Sequence, residues 1–242
     1  MGTPTRFTYG IGTSAKGQPL GDFPLPDPFH TGSTTGLDVT SYSNDFFTIG
    51  STTLDWTVTG VSSTFALTDG VGGVSLVTPG GTTTVTTVAV AKSGFQFVAG
   101  QKFWYVSRIK ASAVAGTVAF QFGMQNGTGA SPTDGIYFQK AASSTSLNLI
   151  SRVNSTSVTL ATGITTAAAN TYLDVGFYYD GTDLLVYVSD NLVARIAGVS
   201  ISATSSAKAI TSALLQPAFQ ITPTATDTLS IDYVLAAQET SR

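Results

Sequence analysis

The chain has no cysteine, one histidine and one glutamate among its 242 residues. Without cysteine there is no disulfide framework and no thiolate to act as nucleophile or metal ligand. A single histidine, His30, excludes a histidine metal cluster. It lies in a proline-rich stretch, whereas a triad base is held by packing beside its nucleophile, so no catalytic role is assigned to it. Glu239 stands alone near the end of the sequence, where chains are often mobile, and glycoside hydrolysis needs a pair of carboxyl groups. Charge is scarce as well. Asp, Glu, Lys and Arg make up 10% of residues, against roughly 25% in ordinary globular proteins.

Further absences narrow the partners. The pI is near 4.9 and no basic cluster occurs, which argues against nucleic acid. Apolar runs such as Leu184–Val188 are strand-length, far below the ~18 residues of a membrane-spanning helix. No apolar stretch follows Met1-Gly2-Thr3-Pro4, so no signal peptide is read, and action outside a cell would call for release by lysis or a dedicated apparatus. Gly72-Gly73 and Pro79-Gly80-Gly81 lack the following lysine of a phosphate-binding loop and read as turns. Asn126-Gly127-Thr128 and Asn154-Ser155-Thr156 match a glycosylation pattern that a chain this rich in Ser and Thr produces by chance.

What fills the sequence is Thr, Ser, Gly, Ala and Val, with solvent-facing positions carried by neutral hydroxyls. β-branched residues favour strands because they restrict χ1 in a helix. The chain is therefore read as all-β. Val118, Phe120, Phe122 and Met124 alternate with Thr117, Ala119, Gln121 and Gly123, the period-2 pattern of a half-buried strand. Leu173, Val175, Phe177 and Tyr179 repeat the pattern, and Asp180-Gly181-Thr182-Asp183 then turns the chain into Leu184–Val188, a hairpin signal. Asp190-Asn191 marks another turn, leading into residues 192–196. Leu229, Ile231, Tyr233 and Leu235 are expected to share one face of a final strand. Further strands are predicted at 55–59, 64–68, 73–78, 83–91, 103–110, 135–140, 146–153 and 157–161, with one helical turn at 209–215 before Pro217. Strands at this spacing predict a sandwich or barrel.

Residues 1–36 differ from the rest. Five of nine prolines lie there (Pro4, Pro19, Pro24, Pro26, Pro28). Alternating prolines across residues 23–29 fix φ and remove amide donors, which predicts an extended, polyproline-like chain. The segment nevertheless carries Phe7, Tyr9, Ile11, Leu20, Phe23, Leu25 and Phe29. A solvated linker is usually short of aromatics, so this arm is expected to lie against a surface, of its own domain or of a partner. The expected organisation is an N-terminal arm, 1–36, ahead of a β-sandwich domain, 37–242.

Candidate binding chemistry is sparse. Asp134, Asp180, Asp183 and Asp190 occupy turn contexts, where aspartate stabilises the turn itself. A calcium site built from Asp180, Asp183 and Asp190 has no supporting loop spacing. Asp174 and Asp232 are read as exposed mid-strand residues. Trp56, Trp104, Tyr105, Tyr178 and Tyr179 suit either stacking on a sugar ring or packing in a sandwich core and rim. No catalytic residue, metal site or cofactor is assigned.

Several short stretches occur in a familiar order: Thr5-Arg6-Phe7-Thr8-Tyr9-Gly10, Ser43-Asn44-Asp45-Phe46-Phe47, Asp55-Trp56-Thr57-Val58-Thr59, Leu67-Thr68-Asp69-Gly70-Val71-Gly72-Gly73, Asp134-Gly135-Ile136-Tyr137-Phe138-Gln139-Lys140 and Ile231-Asp232-Tyr233-Val234-Leu235-Ala236-Ala237-Gln238. Together they resemble the capsid decoration (cement) proteins of tailed bacteriophages. The hairpin around Asp180 and the final strand also resemble concanavalin-like (laminin-G-type) jelly rolls. The resemblance implies a jelly-roll antiparallel β-sandwich that trimerises on the outer capsid surface, with an N-terminal segment clamping the major capsid protein. It carries over no catalytic residues. The expected capsid contacts, inferred from the arm's composition, are Arg6, Phe7, Tyr9, Phe23 and Phe29. The alternative reading is a lectin-like carbohydrate-binding domain of a phage tail or fibre.

Overall fold

The computed structural model describes residues 39–46, 55–68, 74–79, 84–129, 131–224 and 226–239. The first strands are β1 (Val39–Asn44), β2 (Trp56–Thr59), β3 (Thr64–Thr68), β4 (Val74–Thr78), β5 (Thr86–Val90) and β6 (Phe103–Ala111). The middle of the chain supplies β7 (Ala119–Gln125), β8 (Gly135–Lys140), β9 (Ser146–Val153), β10 (Thr156–Thr166), β11 (Leu173–Tyr179) and β12 (Leu184–Val188). Then follow β13 (Asn191–Ile196), β14 (Ser200–Ser202), β15 (Ala209–Thr211), β16 (Gln216–Thr222) and β17 (Leu229–Glu239). No helix occurs among the described residues.

Two antiparallel sheets form a sandwich. One has eight strands in the order β13-β12-β11-β6-β17-β4-β3, with β1 paired to the other end of the long β17. The second has seven, in the order β10-β9-β8-β7-β16-β5-β2. The chain passes directly between the two sheets at β1–β2, β2–β3, β4–β5, β5–β6, β6–β7, β10–β11 and β16–β17, so about half of the strand pairings join strands distant in sequence. This is the expected sandwich with a jelly-roll weave.

The alternating apolar positions face inward as predicted. Phe120, Phe122 and Met124 on β7 meet Leu173, Val175, Phe177 and Tyr179 on β11 in one buried core. Phe177 is a junction: its ring lies 5.2 Å from Tyr105, 6.2 Å from Phe103 and 6.0 Å from Phe138 of the opposite sheet. Phe97 stacks on Phe103 at 4.2 Å. At the far end Trp56 packs on Phe46, Phe65 and Phe219.

Three expectations need correction. The last strand does not keep one face: a register shift between Ile231 and Tyr233 marks a bulge at Asp232. A bulge adds one residue and so exchanges the two faces. Leu229 and Ile231 point into the core, as do Val234 and Ala236, whereas Tyr233 and Leu235 point outward. Nor is 209–215 a helical turn. Ala209–Thr211 is a short strand parallel to β14 that buries Ile210, and Leu215 pairs with Phe95. Burial of these two apolar residues on different partners overrides local preference. Strand β16 itself was not expected, because Pro217 falls within it. Pro217 pairs only with Met124 of β7, and the β5 ladder begins after it at Ala218, so its missing N–H breaks no bond on that side.

Candidate functional site

Arg6, Phe7, Tyr9, Phe23, Phe29 and His30 lie outside the described residues. The five candidate sugar-stacking aromatics are all buried: Trp56, Tyr105 and Tyr179 in the main core, Trp104 and Tyr178 in a second cluster. None presents a free ring face to solvent.

The turn aspartates brace loops. Asp180 Oδ1 accepts the backbone N–H of Thr182 at 2.8 Å and of Asp183 at 2.7 Å, closing the β11–β12 hairpin. Asp183 Oδ2 accepts Arg195 Nε at 2.8 Å and Nη2 at 2.6 Å, and its Oδ1 accepts Gly198 N–H at 2.9 Å. The Gly198 amide and then the Arg195 guanidinium hold this carboxyl below the ordinary carboxylate range. Asp134 Oδ1 accepts Thr211 Oγ1 at 2.7 Å and Asn154 N–H at 3.1 Å, and its Oδ2 accepts Thr133 Oγ1. Burial works to raise its pKa, but these hydrogen bonds, led by Thr211, with the charge of Arg152, outweigh it and the value falls.

Two carboxylates stand differently from expectation. Glu239 is no loose terminal residue: it ends β17, accepts Lys102 N–H at 2.8 Å and pairs with Lys102 Nζ at 3.1 Å. Asp232 is not an exposed strand residue but 2% exposed, because the bulge turns it against Arg108, whose Nη1 lies 2.7 Å from its Oδ2. Burial raises its pKa despite that guanidinium, and its Oδ1 has no hydrogen-bond partner. Beside it Tyr233 donates to Asp174 Oδ1 at 2.8 Å, and Arg108 and Lys110 lie over the ring of Tyr172. A carboxyl so enclosed and paired holds a strand face together; a hydrolytic acid needs access to its substrate.

Around this polar centre the outward face of the eight-stranded sheet is apolar. Trp104 and Val106 on β6, Tyr178 on β11, Tyr187 on β12 and Tyr233 and Leu235 on β17 form the second cluster, each at most 8% exposed. Trp104 and Tyr178 stack at 5.4 Å. The Tyr178 phenol is pushed up to about 12, by burial first and by the charges of Asp180 and Glu239 next. The sequence named Trp104 and Tyr178 only as sugar-stacking or core and rim residues and placed Tyr233 and Leu235 on the face of Leu229 and Ile231, so it did not bring these side chains together.

The outward face of the seven-stranded sheet is different in kind, a ladder of amides. Gln139 of β8 donates to Gln121 of β7, which donates to Gln125 and to Gln220 of β16, and Thr87 of β5 donates to Gln220. Gln216 accepts from Ser93 at 2.6 Å and donates to the Gly127 carbonyl. Two glycines make room: a Cβ on Gly123 would lie 2.6 Å from Tyr137 Cα, and one on Gly135 3.2 Å from Gln125 Cα. A cleft of about 250 Å³ at the β2–β5 edge, lined in part by Tyr42, Asp55, Trp56 and Lys92, is smaller than most ligand sites.

No protein-family profile matches the chain, and no curated protein does. Solved structures share its fold. An endo-1,3-β-glucanase from Streptomyces sioyaensis superposes with a TM-score of 0.58 at 10% identity, covering 85% of this chain and 98% of its own. Peanut lectin gives 0.52 at 11% identity, covering 83% and 97%. A carbohydrate esterase of the Shiga toxin-encoding bacteriophage phi24B gives 0.53 at 18% identity, covering 84% and 100%. The fold is thus the concanavalin-like jelly roll, as the sequence implied. At these identities the likeness extends to the fold alone.

Proposed function

We propose that this protein is a non-catalytic structural component of a bacteriophage virion, a decoration protein on the outer capsid surface. Residues 1–36 attach it to the major capsid protein, with Arg6, Phe7 and Tyr9 as the contacts farthest from the sandwich, and three copies together bridge neighbouring capsid subunits. The observation that carries this reading is the use of the carboxylates. Asp134, Asp180, Asp183 and Glu239 each brace a loop or strand end, and Asp232 ties two strands together on one sheet face. The attachment chemistry then falls to the apolar, proline-rich arm. Prolines lower the ordering entropy lost when such an arm docks, and three arms on one body add avidity without new kinds of contact. The test is co-sedimentation with capsids lacking the protein. The full chain should pellet with them, and Arg6→Ser/Phe7→Ser/Tyr9→Ser should not. Undiminished binding by the triple variant would sink the arm's role.

The amide ladder favours a second reading, a lectin-like carbohydrate-binding domain. Amides offer donors and acceptors in fixed geometry to ligand hydroxyls, and Gln125 Nε2 is buried with no partner. A glycan array separates the two: glycan capture that is lost in Gln139→Ala supports the lectin reading, and no capture retires it.

A further inference from the structure

The second apolar cluster is buried on the side of its sheet that faces away from the sandwich. Its members come only from β6, β11, β12 and β17, with Leu185 packed against them. No described strand lies across that face; the strong contacts of these four strands are with their own sheet neighbours. Yet Trp104 is 1% and Tyr178 7% exposed. Trp104 Nε1 is buried and finds no acceptor.

We infer that the proline-rich residues 23–29 of the same chain seat on this aromatic face, with the Trp104 indole N–H donating to a backbone carbonyl of the segment. Aromatic surfaces bearing a donor recognise polyproline-type chain, because its carbonyls point outward and its prolines stack flat on rings. Phe23-Pro24-Leu25-Pro26-Asp27-Pro28-Phe29 has that character. The reach fits. Val39 pairs with Glu239 at the β17 edge of this face, and four strand spacings from β1 to β12 come to about 19 Å. The chain between Phe29 and Val39 spans up to ~33 Å when extended. Phe23 and Phe29 then anchor the arm to its own domain, while Arg6, Phe7 and Tyr9 extend beyond it. This anchor holds with or without a capsid.

The absence of cysteine makes the test clean. In the full chain, Pro26→Cys with Leu185→Cys should give an intrachain link with a short bismaleimide, independent of protein concentration. A dimer-only product would assign the face to a second copy, and no product would leave the segment elsewhere; either overturns the inference. In parallel, the two tryptophan indole N–H signals report the face directly. Phe23→Ser/Phe29→Ser should speed Trp104 indole exchange at least tenfold and leave Trp56 unchanged. Unaltered Trp104 protection contradicts the seat. Should that variant unfold, the crosslink decides. Arg6→Ser/Phe7→Ser/Tyr9→Ser should leave the crosslink intact, so loss of capsid binding and loss of the anchor are read separately.

Discussion

Gly123→Ala probes how closely the amide face is packed. A Cβ at Gly123 would lie 2.5 Å from the Ile136 carbonyl oxygen, 2.6 Å from Tyr137 Cα and 2.8 Å from Tyr137 Cβ. Two of these are backbone atoms of β8, so the clash cannot be relieved by turning a side chain. Strand β8 must shift against β7, and overpacking of this kind costs about 1–3 kcal/mol. For a chain of this size each kcal/mol moves Tm by roughly 2–4 °C, which gives a fall of about 2–12 °C. Gly135→Ala meets Met124 O at 2.7 Å and Gln125 Cα at 3.2 Å and should cost less. Gly94→Ala meets nothing within 4 Å and should be neutral or slightly stabilising through the unfolded chain. Differential scanning calorimetry of the three variants checks the order. Equal Tm values for Gly123→Ala and Gly94→Ala would refute the packing argument.

Other perturbations test the core and the buried charges. Phe177→Ala removes the ring that joins both sheets and should cost about 3–5 kcal/mol by urea denaturation. The Lys140 side chain is fully buried, its Nζ donating to the Val118 carbonyl, and burial lowers its pKa. The unfolded chain then holds this proton to higher pH than the folded one, so wild-type stability should rise relative to Lys140→Met as pH climbs from neutral towards 10.5; parallel curves would contradict the burial. The depressed pKa of Asp183 gives the opposite case. Its contribution is present above the unfolded value of 3.8 and is lost as pH falls through the folded one. Asp183→Asn should therefore flatten the acid limb of the stability profile measured by circular dichroism.

The sequence was legible where alternation ran unbroken. Phe120–Met124 and Leu173–Tyr179 needed only period 2, and Asp180 signalled its hairpin because an aspartate there caps two backbone amides. It failed where a single residue changed the register. The bulge at Asp232 has no local signature, so Tyr233 and Leu235 were placed on the wrong face and the outer aromatic cluster went unseen. Pro217 hid β16, because whether a proline breaks a ladder depends on which neighbour is present. The amide ladder was invisible for a related reason: its glutamines come from β7, β8 and β16, and only the sheet order brings them together. Residues 1–36 lie outside the described residues, so the arm rests on composition, and its expected contacts Arg6, Phe7, Tyr9, Phe23 and Phe29 belong to proposals that binding and crosslinking experiments decide.

Capsid attachment is tested most directly by quantitative mass spectrometry of purified virions. The protein should be present in a fixed, near-stoichiometric ratio to the major capsid protein, and should leave the particle when the arm contacts are substituted. Intact virions without it, or with it only in trace amounts tied to tail protein content, would contradict the account.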